Sequence, residues 1–148
     1  MTTTKLLGIG AVSERTGVSV STLRFYEQEK LFLRPVTRDG AGRRLFASDE
    51  VDWITVCKKL RSSGMPLPRI RDYVDLVRQG PRTRPQRLEI LREHQRAVAS
   101  RVAELQEAFD IIDNKVRFYA EHSAEAVGDD LWLDMPDCSA VSGARVPE

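Results

Sequence analysis

The chain has 148 residues, 41% hydrophobic and 30% charged, with a formal net charge of +1. That length fits one domain, or one compact domain with an appendage, and the composition excludes both a disordered chain and a membrane protein. The two cysteines, Cys57 and Cys138, lack the spacing of a disulfide framework or a zinc site, so a reduced, cytoplasmic setting is the default.

The charge is unevenly placed. Residues 1–78 hold 14 Lys/Arg against 9 Asp/Glu, a net +5, whereas residues 79–148 hold 9 against 13, a net −4. Such opposed halves point to an N-terminal part that meets a polyanion and a C-terminal part that does not.

At the N-terminus, "KLLGIGAV" has a barely sufficient apolar run, and "SERTG" stands where a signal peptide would have a small-residue cleavage site. No other stretch approaches the length of a membrane span. Ile9–Thr16 reads as a short helix ended by Gly17, a residue suited to a left-handed terminus. Ser19 is placed to cap a second helix from Val20 to about Lys30. The segment "RPVTRDGAGRRLF" follows, with Pro35, Gly40 and Gly42 breaking regular structure, and predicts a hairpin or extended loop. Ser48 then caps a third helix over residues 49–62, ended by Gly64. A fourth lies in "PLPRIRDYVDLVRQG", with Pro66 and Pro68 at its start and Gly80 just past its end.

After "PRTRP", Thr83 and Gln86 have the spacing of a capping box. Leu88, Leu91, Gln95, Val98, Val102, Leu105, Phe109, Ile112, Val116 and Tyr119 then alternate spacings of three and four without a slip. This is a coiled-coil seam. A helix over Arg84–His122 extends roughly 55–60 Å at ~1.5 Å per residue. The short helices before it cannot cover that length, so the partner comes from another chain, most economically in a two-fold dimer. Gln95, the polar seam residue, either fixes register or is solvated near a helix end. The 26 residues after His122 are acidic, then small and polar, with only "LWLDM" suited to docking.

With Gly17 as the turn glycine of a helix-turn-helix, Val12, Val18, Leu23 and Tyr26 fall at core positions. Ser19, Val20, Ser21, Arg24 and Phe25 are left on the outward, groove-facing side. The basic loop "RDGAGRR" just downstream suits a wing lying along phosphates.

Three stretches, "IGAVSERTGVSVSTLRFYEQEKLFLRP", "GRRLFASDEVDWI" and "LRSSGMPLPRIRDYVDL", resemble the winged helix-turn-helix region of MerR-family (mercury-resistance regulator) transcription factors. With the long helix after them, the resemblance spans about residues 6–122. It implies a mainly α fold in three parts. These are a winged helix-turn-helix DNA-binding domain at 6–80, a linker and dimerisation helix at 81–122 forming an antiparallel coiled coil, and a short tail at 123–148. It implies a homodimer that binds double-stranded promoter DNA with an overlong spacer and distorts it so that RNA polymerase engages both elements. By the same resemblance, Ser21, Arg24, Phe25 and Tyr26 belong to the recognition helix, Arg43 and Arg44 to the wing, and Arg61 to a backbone contact near the end of the third helix. Phe46 stands where tyrosine is frequent, which removes any hydroxyl contact there. Tyr26 is expected to pack its ring and aim its phenol at a phosphate; Phe25 either touches the groove or supports the wing. The dimer seam is expected at Leu91, Gln95, Val98, Val102, Leu105, Phe109, Ile112 and Val116.

The resemblance also bears on sensing. The chain lacks the length of a large ligand domain, and "QGPRTRPQ" has no cysteine where metal-sensing members place one. Cys138 alone leaves a soft metal without its thiolate pair. The pattern looks more like the short-tailed branch tied to aldehyde, electrophile or thiol stress. In that branch Cys57 is a candidate thiol sensor, offset by about two residues, or else a small apolar packing group. His94 and His122 lie on the dimerisation helix, where surface positions are expected, with no convergent acid or base and no phosphate loop. The expected protein is therefore a regulator located with the bacterial nucleoid, without enzymatic activity, cofactor or membrane partner. A coiled-coil adaptor whose head binds protein is the alternative.

Overall fold

The structure, a computed structural model, describes residues 5–122. The expectations for the tail, including "LWLDM" and Cys138, lie outside them. Helix α1 (Ile9–Thr16) and helix α2 (Val20–Gln28) are joined by a three-residue turn. Gly17 closes α1 at φ 70°, and its N–H donates to the Ser13 carbonyl at 2.9 Å. Only glycine takes that left-handed geometry without steric cost. The Ser19 hydroxyl caps α2 by accepting the Thr22 N–H at 3.1 Å. Thr16, buried beneath the turn, donates to the Val12 carbonyl at 2.8 Å and accepts the Val18 N–H at 3.2 Å. The turn is thus satisfied from within.

Helix α2 ends at Gln28, two residues before the expected position. Lys30 sits at φ 57°, the left-handed position usually given to glycine, and the Leu31 N–H reaches back to the Tyr26 carbonyl at 3.0 Å. A non-glycine residue persists there because its surroundings over-determine it. Arg78 donates to the carbonyls of Lys30 and Phe32, and the Trp53 indole N–H donates to that of Leu31 at 2.8 Å.

Strands β2 (Thr37–Arg38) and β3 (Arg44–Phe46) form the expected hairpin, with Arg38 opposite Arg44. On the other edge of β3 lies β1 (Leu7–Gly8), antiparallel, which gives the order β1-β3-β2. This edge strand was not expected, because two residues carry no alternation to read.

Helix α3 (Ser48–Ser62) starts one residue earlier than expected. Ala47, not Ser48, is its capping residue, and the missing side-chain acceptor is offset by Glu50, whose carboxylate accepts the Ala47 N–H at 2.7 Å. Helix α4 (Leu67–Arg78) has Pro66 and Pro68 at its start as predicted. The Thr83–Gln86 capping box does not form. Thr83 closes a short 3-10 turn (Pro81–Thr83), is buried, and donates its hydroxyl to the carbonyls of Leu76 and Gly80. Helix α5 (Arg84–His122) follows without a break.

Two compact units result, one ending at Val98 and the other beginning at Ala99. In the first, Val12, Leu23, Leu31, Phe46, Ile54, Ile70 and Val74 form the fully buried core. Phe32 and Phe46 meet edge to face at 5.7 Å, and Trp53 stacks on Tyr73 at 5.9 Å. Each such side chain contributes about 1.5–3 kcal/mol by leaving water. Ile90 of α5 joins this core. The first turns of α5 are held further by a 2.7 Å bond between Ser63 and His94 and by an ion pair between Arg69 and Glu93. His94 is therefore half-buried and bonded, not a free surface residue as expected.

Candidate nucleic-acid interface

The outward side of α2 is set by what its inward side buries. Leu23 and Tyr26 lie in the core with Val12 and Val18, as the turn position of Gly17 required. Ser21 and Arg24, on the opposite side, are exposed. Phe25 is half-buried against the core, its ring 6.4 Å from that of Tyr26. Tyr26 is only 3% exposed, so its ring belongs to the packing. Burial pushes the Tyr26 phenol up, Cys57 adds to the rise and the Arg61 guanidinium opposes it. Arg61, exposed at the end of α3, thus adds its charge on the Tyr26 side of the head.

The wing carries its own order. Asp39 accepts the N–H groups of Ala41 and Arg43, each at 2.9 Å, and the Gly42 N–H donates to the Asp39 carbonyl at 2.9 Å. Arg43 also places its Nε 2.9 Å from the Asp39 carboxylate. The Arg43 backbone N–H, first among these, holds the Asp39 carboxyl below the usual range. The Arg43 side chain, though paired with Asp39, is 79% exposed at the tip. Arg44 differs: its side chain is 24% exposed and its Nε donates to Glu27 of α2 at 2.5 Å. Sequence reasoning missed both Glu27 and Arg38, whose Nη2 donates to the same carboxylate at 2.9 Å. Partners 11 and 17 residues apart across a loop leave no periodic signal.

The head thus presents an exposed arginine on a capped helix beside a basic hairpin. Two family profiles match, MerR HTH family regulatory protein over residues 7–76 and MerR, DNA binding, over residues 51–114. An HTH-type transcriptional regulator of Haemophilus influenzae is 31% identical over 130 residues, covering 88% of this chain and 94% of that one. The chain belongs to the MerR family. It is a DNA-binding transcriptional regulator of the helix-turn-helix type. Among solved structures, HiNmlR, a MerR family regulator lacking the sensor domain and bound to promoter DNA, is 29% identical with a TM-score of 0.75; the match covers 81% of this chain and 90% of that one. A MerR family regulator from Listeria monocytogenes is 33% identical with a TM-score of 0.72, at the same coverage of both chains.

Within this MerR head, Cys57 does not look like a sensing thiol. It is 1% exposed, its sulfur lies 4.0 Å from the Leu31 carbonyl, and burial pushes its thiol up to about 12. A reactive cysteine needs the reverse, exposure and a lowered pKa. Lys58, expected to help such a thiolate, instead donates its ammonium to the Thr16 carbonyl at 2.9 Å, at the end of α1. Among the described residues, no group of three or more His, Cys, Asp or Glu is placed to hold a metal ion. No helix among them is long and apolar enough to cross a membrane.

On α5, Leu91 and Val98 are half-buried and Gln95 is exposed. Val102, Leu105, Phe109, Ile112 and Val116 are 58–69% exposed. Apolar side chains of that size, repeated along one helix, form a surface that soluble proteins cover.

Proposed function

We propose that this MerR-family protein is a homodimer that binds double-stranded promoter DNA through two winged heads and distorts it to control engagement by RNA polymerase. The observation that carries the reading is the outward pairing of Ser21 and Arg24 on α2 with an arginine-bearing wing, above a core that locks Leu23 and Tyr26. Arg24 reads base edges; Ser21, Arg43 and Arg61 hold phosphates; Arg44, bonded to Glu27, orders the wing; Phe25 and Tyr26 support the helix from below. The promoter-bound state of HiNmlR supports promoter DNA as the target of this head. The apolar seam from Leu91 to Val116 supports dimerisation, and the antiparallel arrangement follows from the family resemblance. The signal is a small molecule or an electrophile or redox stress, received elsewhere than at the buried Cys57 thiol.

Mapping the DNA protected upstream of the protein's own gene tests the proposal. A protected site with two related halves is expected, with affinity falling by about 10³–10⁵ between 50 and 200 mM salt if ~6–10 phosphates are contacted. Absence of protection, or binding indifferent to salt, overturns it in favour of a protein-binding head.

A further inference from the structure

The wing contains an arrangement that its own strands do not explain. Arg38 on β2 and Arg44 on β3 are directly opposed across the hairpin. Like charges facing each other across an antiparallel pair repel and destabilise it. Here both side chains turn to one carboxylate outside the sheet. Glu27, in the last turn of α2, gives Oε1 to Arg38 Nη2 at 2.9 Å and Oε2 to Arg44 Nε at 2.5 Å. Arg38 also donates through Nη1 to the Gly42 carbonyl at 3.1 Å, which carries the restraint to the wing turn. The Glu27 side chain is 27% exposed, Arg44 24% and Arg38 43%, so the cluster is partly shielded from water. Charge-assisted bonds in such a setting are stronger and more directional than bonds between neutral groups.

We propose that Glu27 is a positioning residue for DNA recognition: by holding one arginine from each wing strand, it fixes the wing against the recognition helix and so sets the sequence preference of the head. The inference rests on the DNA-binding reading above and deepens it. One carboxylate keeps two guanidiniums from acting as free, sequence-blind phosphate ligands. It also sets the distance between the two surfaces that must meet the duplex together, α2 in the groove and the wing along the backbone.

Glu27→Gln keeps the shape and removes the charge. Binding is measured against two duplexes, the segment protected upstream of the protein's own gene and a scrambled segment of equal length, across a salt series. For Glu27→Gln, binding to the scrambled duplex is expected to strengthen and its log–log salt slope to steepen by about 1–2, as one or two arginines are freed. The preference for the protected duplex is expected to fall about tenfold, the loss that goes with one misplaced base contact. The double variant Glu27→Gln/Arg38→Gln restores the net charge of the cluster. It is expected to regain the wild-type salt slope without regaining the preference. A preference that survives in Glu27→Gln, or returns with the charge in the double variant, overturns the positioning role. Failure of the wild type to prefer the protected duplex would instead count against the DNA-binding reading itself. Thermal melting of both variants is run alongside. If Glu27→Gln does not fold, the reciprocal pair Arg38→Gln and Arg44→Gln carries the test, each expected to lose part of the preference and overturning the inference if neither does.

Discussion

At the scale of single residues, the head separates side chains that hold from side chains that reach. Arg24 is exposed on a helix whose inward neighbours Leu23 and Tyr26 are almost fully buried, so removing it leaves the scaffold intact. Arg24→Ala is expected to cost about 1–3 kcal/mol in binding to the protected duplex and to relax preference at one base position, with melting unchanged. Competition against duplexes substituted one base pair at a time would show this. A uniform loss across all of them would make Arg24 a phosphate contact. Cys57 belongs to the other class. Its thiol, pushed up to about 12 by burial, keeps its proton in the folded state, whereas in the unfolded chain it titrates near ~8.5. The contribution of Cys57 to stability is therefore whole below about pH 8.5 and declines as pH rises from there toward 12. In a Cys138→Ser background, Cys57 is expected to resist a thiol reagent at pH 8 unless denaturant is added. Rapid labelling of the native protein would restore it as a candidate sensor.

At the scale of elements, local chemistry was legible and distant pairing was not. Gly17 and Ser19 marked the turn between α1 and α2 because a left-handed residue followed by a capping hydroxyl has few other uses. Pro66, Pro68 and Gly80 bracketed α4 for similar reasons. Ser48 and Thr83 misled, since a hydroxyl's partner depends on which backbone group the tertiary fold brings near. Glu50 took the capping task, and Thr83 turned to two carbonyls. The same limit hid Glu27, whose value lies in two arginines that only the folded hairpin places beside it. The turn itself is open to test. A Cβ at Gly17 would be strained at φ 70° and would stand 2.9 Å from the Lys58 ammonium, which bonds Thr16. Gly17→Ala is expected to lower stability by about 1–2 kcal/mol, the cost of one left-handed non-glycine residue. Urea unfolding measures it, and a change below a few tenths would mean that the turn relaxes freely.

At the scale of the whole molecule, the periodic seam was the most legible feature, because ten positions repeating over one helix leave little room for another reading. Its N-terminal end behaves differently from the rest. Ile90, off the seam, is buried in the head, whereas Val102, Leu105, Phe109, Ile112 and Val116 stay exposed in the single chain. One helix therefore serves two tasks: its first turns complete the core of the head, and its later turns offer an apolar face that a second copy can cover. Substitutions on that later face can therefore separate folding of the head from assembly. Leu105→Glu/Phe109→Glu places two carboxylates on the seam, each beside its copy's apolar side chains and desolvated without a partner. This double variant is expected to sediment as a monomer while the near-UV signal of Trp53, stacked on Tyr73 in the head, is retained. Its binding to a duplex with both half-sites is expected to fall by about 10²–10⁴, because the second head no longer binds at high effective concentration. On a single half-site the same variant is expected to match the wild type. Loss on both duplexes would show that the heads depend on the dimer for their own fold, and no loss on either would remove the seam from DNA binding altogether.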